Sequence, residues 1–279
     1  MADRIVFAGI APHPPLLVPE IGGARIEDVA RSQRALREFS RRLVATSPET
    51  VVVISPHSPL DPRSFTARSS ERLGGDFRDF RAPHIRLEFQ NDLELLNAIR
   101  VAAAEGGVDL RELDRDYPLD HGAMVPLYYL HEAGWRGAVV VIGFTNRLTE
   151  AHLAFGRAIR EAARSTDKPV AVVASGDLSH RLIIGGPYEF EPTAHLFDEN
   201  VVGAIAEGDS RAVVNIDPGL VARAGECGYR SIIVALGSVD ENLRDHEVLS
   251  YEGPFGVGYM VAVLLEEKTG DQNRVSYED

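Results

Sequence analysis

The 279-residue sequence predicts an α/β fold: one domain with a mostly parallel central sheet, flanked by helices. Short runs of β-branched apolar residues, such as VVVI at residues 51–54, are typical of strands buried on both faces of a parallel sheet. These runs alternate with longer segments whose apolar residues recur at helical spacing. No break in composition and no repeat divides the chain, so we expect a single domain over residues 1–267.

The order of the predicted elements follows from this alternation. Proline marks the end of the first two strands, at Pro12 and Pro56, because it lacks the N–H that a strand ladder needs. The segment 61–88 is predicted to cross the surface with short strands near Phe65 and at 85–89, and residues 212–216 are predicted to form a turn. The main strands are predicted at residues 4–10, 51–54, 138–142, 170–174, 247–251 and 258–265, and the helices at 23–44, 91–105, 150–164, 193–207 and 224–237.

Composition limits the classes of function. The 29 basic and 42 acidic residues give a net charge of −13, which argues against a nucleic acid or an anionic membrane as partner. The single cysteine, Cys227, excludes an intramolecular disulfide and a cysteine-rich zinc cluster. The start of the chain lacks the features of a signal peptide and no 18-residue apolar run occurs, so we expect a cytoplasmic protein. Residues 268–279 are polar and are expected to form a flexible tail.

Three histidines share one position relative to the predicted strands. His13, His57 and His180 each follow a strand closely. In an open α/β sheet, ligands bind beyond the carboxyl ends of the strands, so these side chains are expected to converge at one edge. A single histidine is more often a satisfied structural residue, but three at equivalent positions favour a functional site.

Two imidazoles and one carboxylate bound to one face of an octahedral ion leave other positions open, an arrangement that suits Fe(II). A further histidine could then move a proton. Glu226 is one candidate carboxylate, although it could equally be a first-turn glutamate stabilised by a helix dipole. Asp177 is a rival ligand or an orienting group, and Cys227 is either a small buried residue or a ligand. His121 is a candidate for substrate binding.

Six motifs together resemble the class III (LigB-type) extradiol ring-cleavage dioxygenases, and are most similar to the bacterial LigB-like and Memo-like branch. Their order and spacing carry the resemblance over nearly the whole chain. They are APHPP at residues 11–15, SPHSP at 55–59, DHG at 120–122, SGDLSH at 175–180, GECG at 225–228 and YEGPFGVG at 251–258.

The resemblance implies an Fe(II) ion held by His13, His57 and a glutamate, for which we take Glu226, with metal binding at the carboxyl ends of the strands. It also implies His180 as the acid/base, with His121 nearby. The implied substrates are O₂ and a small catecholic or aminophenolic compound, as in aromatic compound catabolism. A homo-oligomer is compatible with the sequence.

Two alternatives stay open. In Memo-like proteins a cysteine takes the place of the glutamate, and Glu226 and Cys227 are neighbours in this chain. A Memo-like metal- or peptide-binding protein without ring-cleaving activity is therefore the second hypothesis. The third is a zinc hydrolase with a metal-bound water, which only the ligand types support.

Overall fold

Four parallel strands rich in valine and isoleucine form the centre of an eight-stranded sheet. The structure is a computed structural model that describes residues 4–113, 117–239 and 245–267. The order of the strands is β6-β3-β7-β2-β8-β1-β10-β9. Strands β7, β2, β8 and β1 are mutually parallel, and β10 and β9 extend the sheet in antiparallel fashion beside β1. At the other end, β3 pairs antiparallel with β7 and parallel with β6. The strands are β1 (Ile5–Ala11), β2 (Thr50–Ser55), β3 (Phe65–Ala67), β4 (Arg72–Phe77), β5 (Ala82–Gln90), β6 (Leu110–Glu112), β7 (Ala138–Gly143), β8 (Val170–Ser175), β9 (Glu247–Glu252) and β10 (Tyr259–Glu266).

Helices cover both faces of the sheet, as an α/β fold with a buried parallel centre requires. Alternate residues of one strand face opposite layers: Val51 and Val53 pack on one side of the sheet, and Val52 and Ile54 on the other. The helices are α1 (Pro19–Gly22), α2 (Ala30–Ala45), α3 (Leu93–Glu105), α4 (His121–Glu132), α5 (Thr149–Thr166), α6 (Ala194–Ala206), α7 (Ser210–Val214), α8 (Pro218–Ala224) and α9 (Tyr229–Ser238).

The predicted fold class is confirmed: the described residues form one α/β domain with a mostly parallel sheet and helices on both faces. None of the helices in the described ranges has the length and apolar character needed to span a lipid bilayer. The boundary of the domain at residue 267 stays a prediction, and the predicted tail at 268–279 lies outside the described residues.

Three local predictions differ from the structure. Residues 23–29 of the first predicted helix form 3₁₀ turns before α2 begins. The turn predicted at 212–216 is instead occupied by the end of α7, because the Asp209 side chain accepts the N–H of Ala212 and caps that helix. The helix predicted at 224–237 begins later, at Tyr229, because Gly225 adopts a left-handed backbone (φ 65°) that ends α8. The excursion at 61–88 contains part of a separate two-stranded sheet of β4 and β5.

Two glycines in helices provide a matched test of this packing. At Gly156 in α5, an added Cβ would lie 2.2 Å from the carbonyl oxygen of Val234 in α9. We expect Gly156→Ala to destabilise the protein by about 1–3 kcal/mol or more, because rigid backbone occupies that space. A Cβ added at Gly203 in α6 would meet no atom of the described residues within 4 Å apart from its own helix backbone and chain neighbours, so Gly203→Ala should stabilise the protein by about 0.5–1 kcal/mol. Urea unfolding measures both, and equal effects would contradict the close α5–α9 contact.

Candidate metal centre

His13 and His57 meet at the carboxyl edge of the sheet. Strands β1 and β2 lie on either side of β8, and each ends one proline before its histidine. The two imidazole Nε2 atoms are 3.0 Å apart, and the ring centroids are 4.8 Å apart. His13 is buried, whereas His57 is exposed on the open side of the site.

A third imidazole comes from the start of α4. The Asp120 side chain accepts the N–H of Ala123 at 3.1 Å and so caps the helix, which makes His121 its first residue. The His121 ring lies 4.1 Å from that of His57 and 5.5 Å from that of His13. One ring nitrogen from each of the three histidines lies within 4.8 Å of the others.

Ser175, the last residue of β8, fixes the tautomer of His13. Its hydroxyl donates to the carbonyl oxygen of Gly122, so its oxygen is left to accept a hydrogen bond from Nδ1–H of His13, at 2.9 Å. With its proton on Nδ1, the His13 ring presents a bare Nε2 toward His57. A metal-binding histidine is commonly oriented through its other ring nitrogen in this way.

Asp177 and Cys227 also lie against His13. The Sγ of Cys227 lies 3.6 Å from Nε2 of His13, and the backbone N–H of His13 donates to Oδ1 of Asp177 at 3.0 Å. The loop that carries Cys227 packs against the residue after β8 so closely that a Cβ on Gly176 would lie 2.1 Å from Cα of Gly228. His13, Asp177 and Cys227 thus form a second group of candidate ligand atoms within 4.8 Å.

The structure does not bring Glu226 into either of these groups. Its carboxylate turns toward the start of α9, where Oε2 accepts the N–H of Tyr229 at 2.5 Å. This is the helix-start role that the sequence left open as an alternative. The side chain also lines a separate pocket beside α5 and α8.

His180 lies beside the cluster. Its backbone N–H donates to the carbonyl oxygen of Ala224 at 3.0 Å, and its ring lies 4.8 Å from that of Tyr188. The buried Nε2 of His180 has no hydrogen-bond partner among the described residues. A bound molecule could supply that partner.

The electrostatics of the pocket favour neutral imidazoles. Burial lowers the pKa of His13 well below the usual histidine value, and the nearby His57 lowers it further. Burial likewise lowers the pKa of His121 and of His180 to about 4. Burial raises the pKa of Asp177 to about 7 and raises that of the Cys227 thiol well above its usual value. A neutral imidazole keeps a nitrogen lone pair free to bind a metal cation.

A buried ion pair between Arg68 and Asp120 lies next to the histidine cluster, and it was not predicted from the sequence. The Arg68 guanidinium lies 3.2 Å from Oδ2 of Asp120 and donates to Ser58 Oγ at 2.9 Å. Asp120 also accepts hydrogen bonds from the hydroxyls of Ser55 and Ser58, which flank His57 in sequence. The serines of SPHSP and the aspartate of DHG lie in motifs and could have indicated this network, whereas nothing in the sequence around Arg68 indicates its role.

The fold and this site define a class of protein: an α/β domain with a candidate metal centre at the carboxyl edge of its sheet. Comparison with known proteins is more specific. Residues 8–262 match the family model of LigB, the catalytic subunit of aromatic ring-opening dioxygenase. The chain therefore belongs to the LigB family.

Two curated relatives match the chain. Protein CA_C1420 of Clostridium acetobutylicum is 32% identical over 275 residues, which cover 95% of this chain and 58% of that protein. The 4,5-DOPA dioxygenase extradiol of Beta vulgaris is 28% identical over 159 residues, covering 56% of this chain and 58% of that enzyme. The match thus spans 58% of the length of each relative.

A solved structure shares the fold. The crystal structure of an uncharacterised protein from Escherichia coli K12 superimposes with a TM-score of 0.59 and 17% sequence identity. The match covers 92% of this chain and 98% of that protein. At this identity the likeness concerns the fold alone.

Proposed function

We propose that the chain is an Fe(II)-dependent extradiol dioxygenase, which inserts O₂ next to the diol of a catecholic or aminophenolic substrate. The observation that carries the proposal is the convergence of His13, His57 and His121, whose ring nitrogens lie within 4.8 Å of one another. Membership of the LigB family and the similarity to a plant extradiol dioxygenase support the class of reaction.

The residues present fit a metal ion at His13 and His57. Two nitrogens that each bind the same ion at about 2.0–2.1 Å can lie no more than about 4.2 Å apart, and the two Nε2 atoms are 3.0 Å apart. The Ser175 contact leaves the His13 Nε2 bare, which is the form that binds metal. The ion would bind and activate O₂ and hold the substrate diol beside it.

Side chains around the ion site would bind the substrate and move its protons. His57 faces solvent, so the site is open on that side. The ring of Phe80 lies 5.3 Å from that of His121, and the ring of Tyr188 lies 4.8 Å from that of His180. The two aromatic side chains would pack against the flat ring of the substrate. His180 is neutral at ordinary pH, and its unpartnered Nε2 suits it to exchange a proton with a substrate hydroxyl.

The third ligand distinguishes this proposal from a second candidate, a Memo-like metal-binding protein without ring-cleaving activity. Glu226, the carboxylate expected from the resemblance, would have to release the Tyr229 N–H to reach the cluster. As placed, Asp177 offers a carboxylate and Cys227 a thiol beside His13. The position of the thiol favours the second candidate, because thiolate ligands select softer metal ions than O₂-activating Fe(II) sites require.

Turnover tests the first candidate. Protein loaded with Fe(II) without oxygen should, on exposure to air, convert at least one member of a catechol panel to a yellow ring-fission product. His180→Gln should lower kcat about 10²–10⁴-fold while iron content stays the same, and the exposed His84→Ala should change neither. If fully iron-loaded protein converts no catechol of the panel, the proposal is wrong.

Metal analysis separates the candidates further. Under the second candidate, Cys227→Ser weakens metal binding and Glu226→Ala does not. Zinc in protein purified without added metal would instead favour the hydrolase hypothesis.

Ser175→Ala tests how the His13 tautomer is set. The variant removes the acceptor of the Nδ1–H, so the ring can turn or move its proton to Nε2. We expect metal affinity to fall about 10–100-fold. Calorimetric titration with Fe(II) under anaerobic conditions measures this, and Ser165→Ala, whose hydroxyl donates within α5, is the control. Equal affinities in the two variants would show that Ser175 does not orient the ligand.

A further inference from the structure

A second pocket lies outside the histidine cluster. It has a volume of about 420 Å³, within the usual range of small-molecule sites. Its wall is built by the residues before α5, by α8 and by the start of α9. None of the residues in the two candidate ligand groups of the metal centre lines it, whereas Glu226, which belongs to neither group, does.

Two arginines give this pocket a positive wall in a protein whose net charge is −13. Arg230, in the first turn of α9, is half-buried, and its guanidinium lies 5.5 Å from the centre of the Phe144 ring. Within the described ranges it forms no ion pair, and Glu226 is the acidic residue beside it in the pocket wall. Arg147 is exposed, and its guanidinium donates to the carbonyl oxygen of Gly107 at 3.4–3.5 Å.

The start of α5 adds donors to the same wall. Leu148 occupies the N-cap position, and no side chain in the part of the chain that the structure describes caps this 18-residue helix. Leu148 and Thr149 both line the pocket. Uncapped N–H groups at a helix start, together with the helix dipole, favour an anion.

The rest of the wall consists of apolar side chains and of a carboxylate that already accepts a hydrogen bond from the protein. Ile216, Val221 and Ile233 provide an apolar surface. The Glu226 carboxylate accepts the N–H of Tyr229, so part of its hydrogen-bonding capacity is used by the protein itself. A bare inorganic anion would leave the apolar surface without a partner.

We infer that this pocket is a second binding site, for a small organic monocarboxylate with an apolar body. Its carboxylate would lie between Arg230, Arg147 and the start of α5, and its body against the apolar wall. Bidentate pairing of guanidinium with carboxylate supplies both affinity and orientation. The inference does not depend on the proposed dioxygenase activity.

Calorimetric titration of the full, metal-free chain with benzoate and with hexanoate tests the inference. We expect saturable binding of at least one acid at millimolar concentration, and clearly weaker binding of the neutral benzamide and of inorganic phosphate. Arg230→Gln should weaken binding at least about tenfold, the loss expected for a charge-assisted hydrogen bond. Arg147→Gln, on an exposed loop, should weaken it in the same direction without risk to the fold. Arg34→Gln on α2 is the matched control and should bind like the unaltered chain.

Three results would overturn the inference. One is the absence of saturable binding of both acids. Another is binding of benzamide or phosphate as tight as that of benzoate. The third is unchanged affinity in both arginine variants. Because the protein carries no metal here, these results are independent of whether the histidine cluster supports ring cleavage.

Discussion

His13→Ala is expected to lower metal affinity more than about 100-fold, since loss of a partner that merely orients a ligand already costs about 10–100-fold. The Nε2 of His13 is the atom shared by both groups of candidate ligands: it lies 3.0 Å from His57 Nε2 and 3.6 Å from Cys227 Sγ. The fold should survive, because Asp177 accepts a backbone N–H at residue 13 that alanine retains. Metal content after dialysis against a weak chelator, with circular dichroism to check the fold, measures the effect.

His84→Ala is the matched control for this variant. His84 lies in β5 and is exposed, and it belongs to neither ligand group. Its removal should leave metal content unchanged. Full metal retention by His13→Ala, or equal loss in both variants, would refute the assignment of His13 as a ligand.

Asp120→Asn should destabilise the protein by about 3–5 kcal/mol, because it leaves the Arg68 charge buried without a counter-charge. The side chain of Arg68 is 3% exposed and that of Asp120 is 13% exposed. Burial alone would raise the pKa of Asp120, but the hydrogen bond from Ser55 and the charge of Arg68 bring it below the usual value. The stabilisation is therefore present above the unfolded pKa of 3.8 and is lost as the pH falls below it.

Glu88→Gln serves as the control for this experiment, since Glu88 pairs with Arg72 on the surface and should contribute less than about 1 kcal/mol. Urea unfolding at neutral pH compares the two variants. Arg68→Met combined with Asp120→Asn should cost less than the sum of the single changes. Equal losses for Asp120→Asn and Glu88→Gln would show that the buried pair does not hold the site together.

The strands and the histidines that follow them could be predicted from sequence, because both signals are local. A run such as VVVI specifies a buried strand, and the proline directly before His13 and before His57 marks the end of each strand. The shared edge then follows from the parallel arrangement of β1, β8 and β2. The structure accordingly brings His13 and His57 together.

The direction of neighbouring loop side chains could not be predicted. Glu226 and Cys227 are adjacent, yet one turns to the start of α9 and the other to His13. The cause is the left-handed Gly225 and the close contact of Gly228 with Gly176, which fix the loop. Arg68 was missed for a related reason: its partner Asp120 is 52 residues away, and no periodic pattern connects them.

Diffraction at the iron absorption edge from crystals of the anaerobically loaded protein locates the bound ion, and so tests whether His13 and His57 hold it. We expect one strong anomalous peak, within bonding distance of Nε2 of both residues. A peak at any other place in fully loaded protein, or none beside these two nitrogens, would refute the assignment of His13 and His57 as ligands.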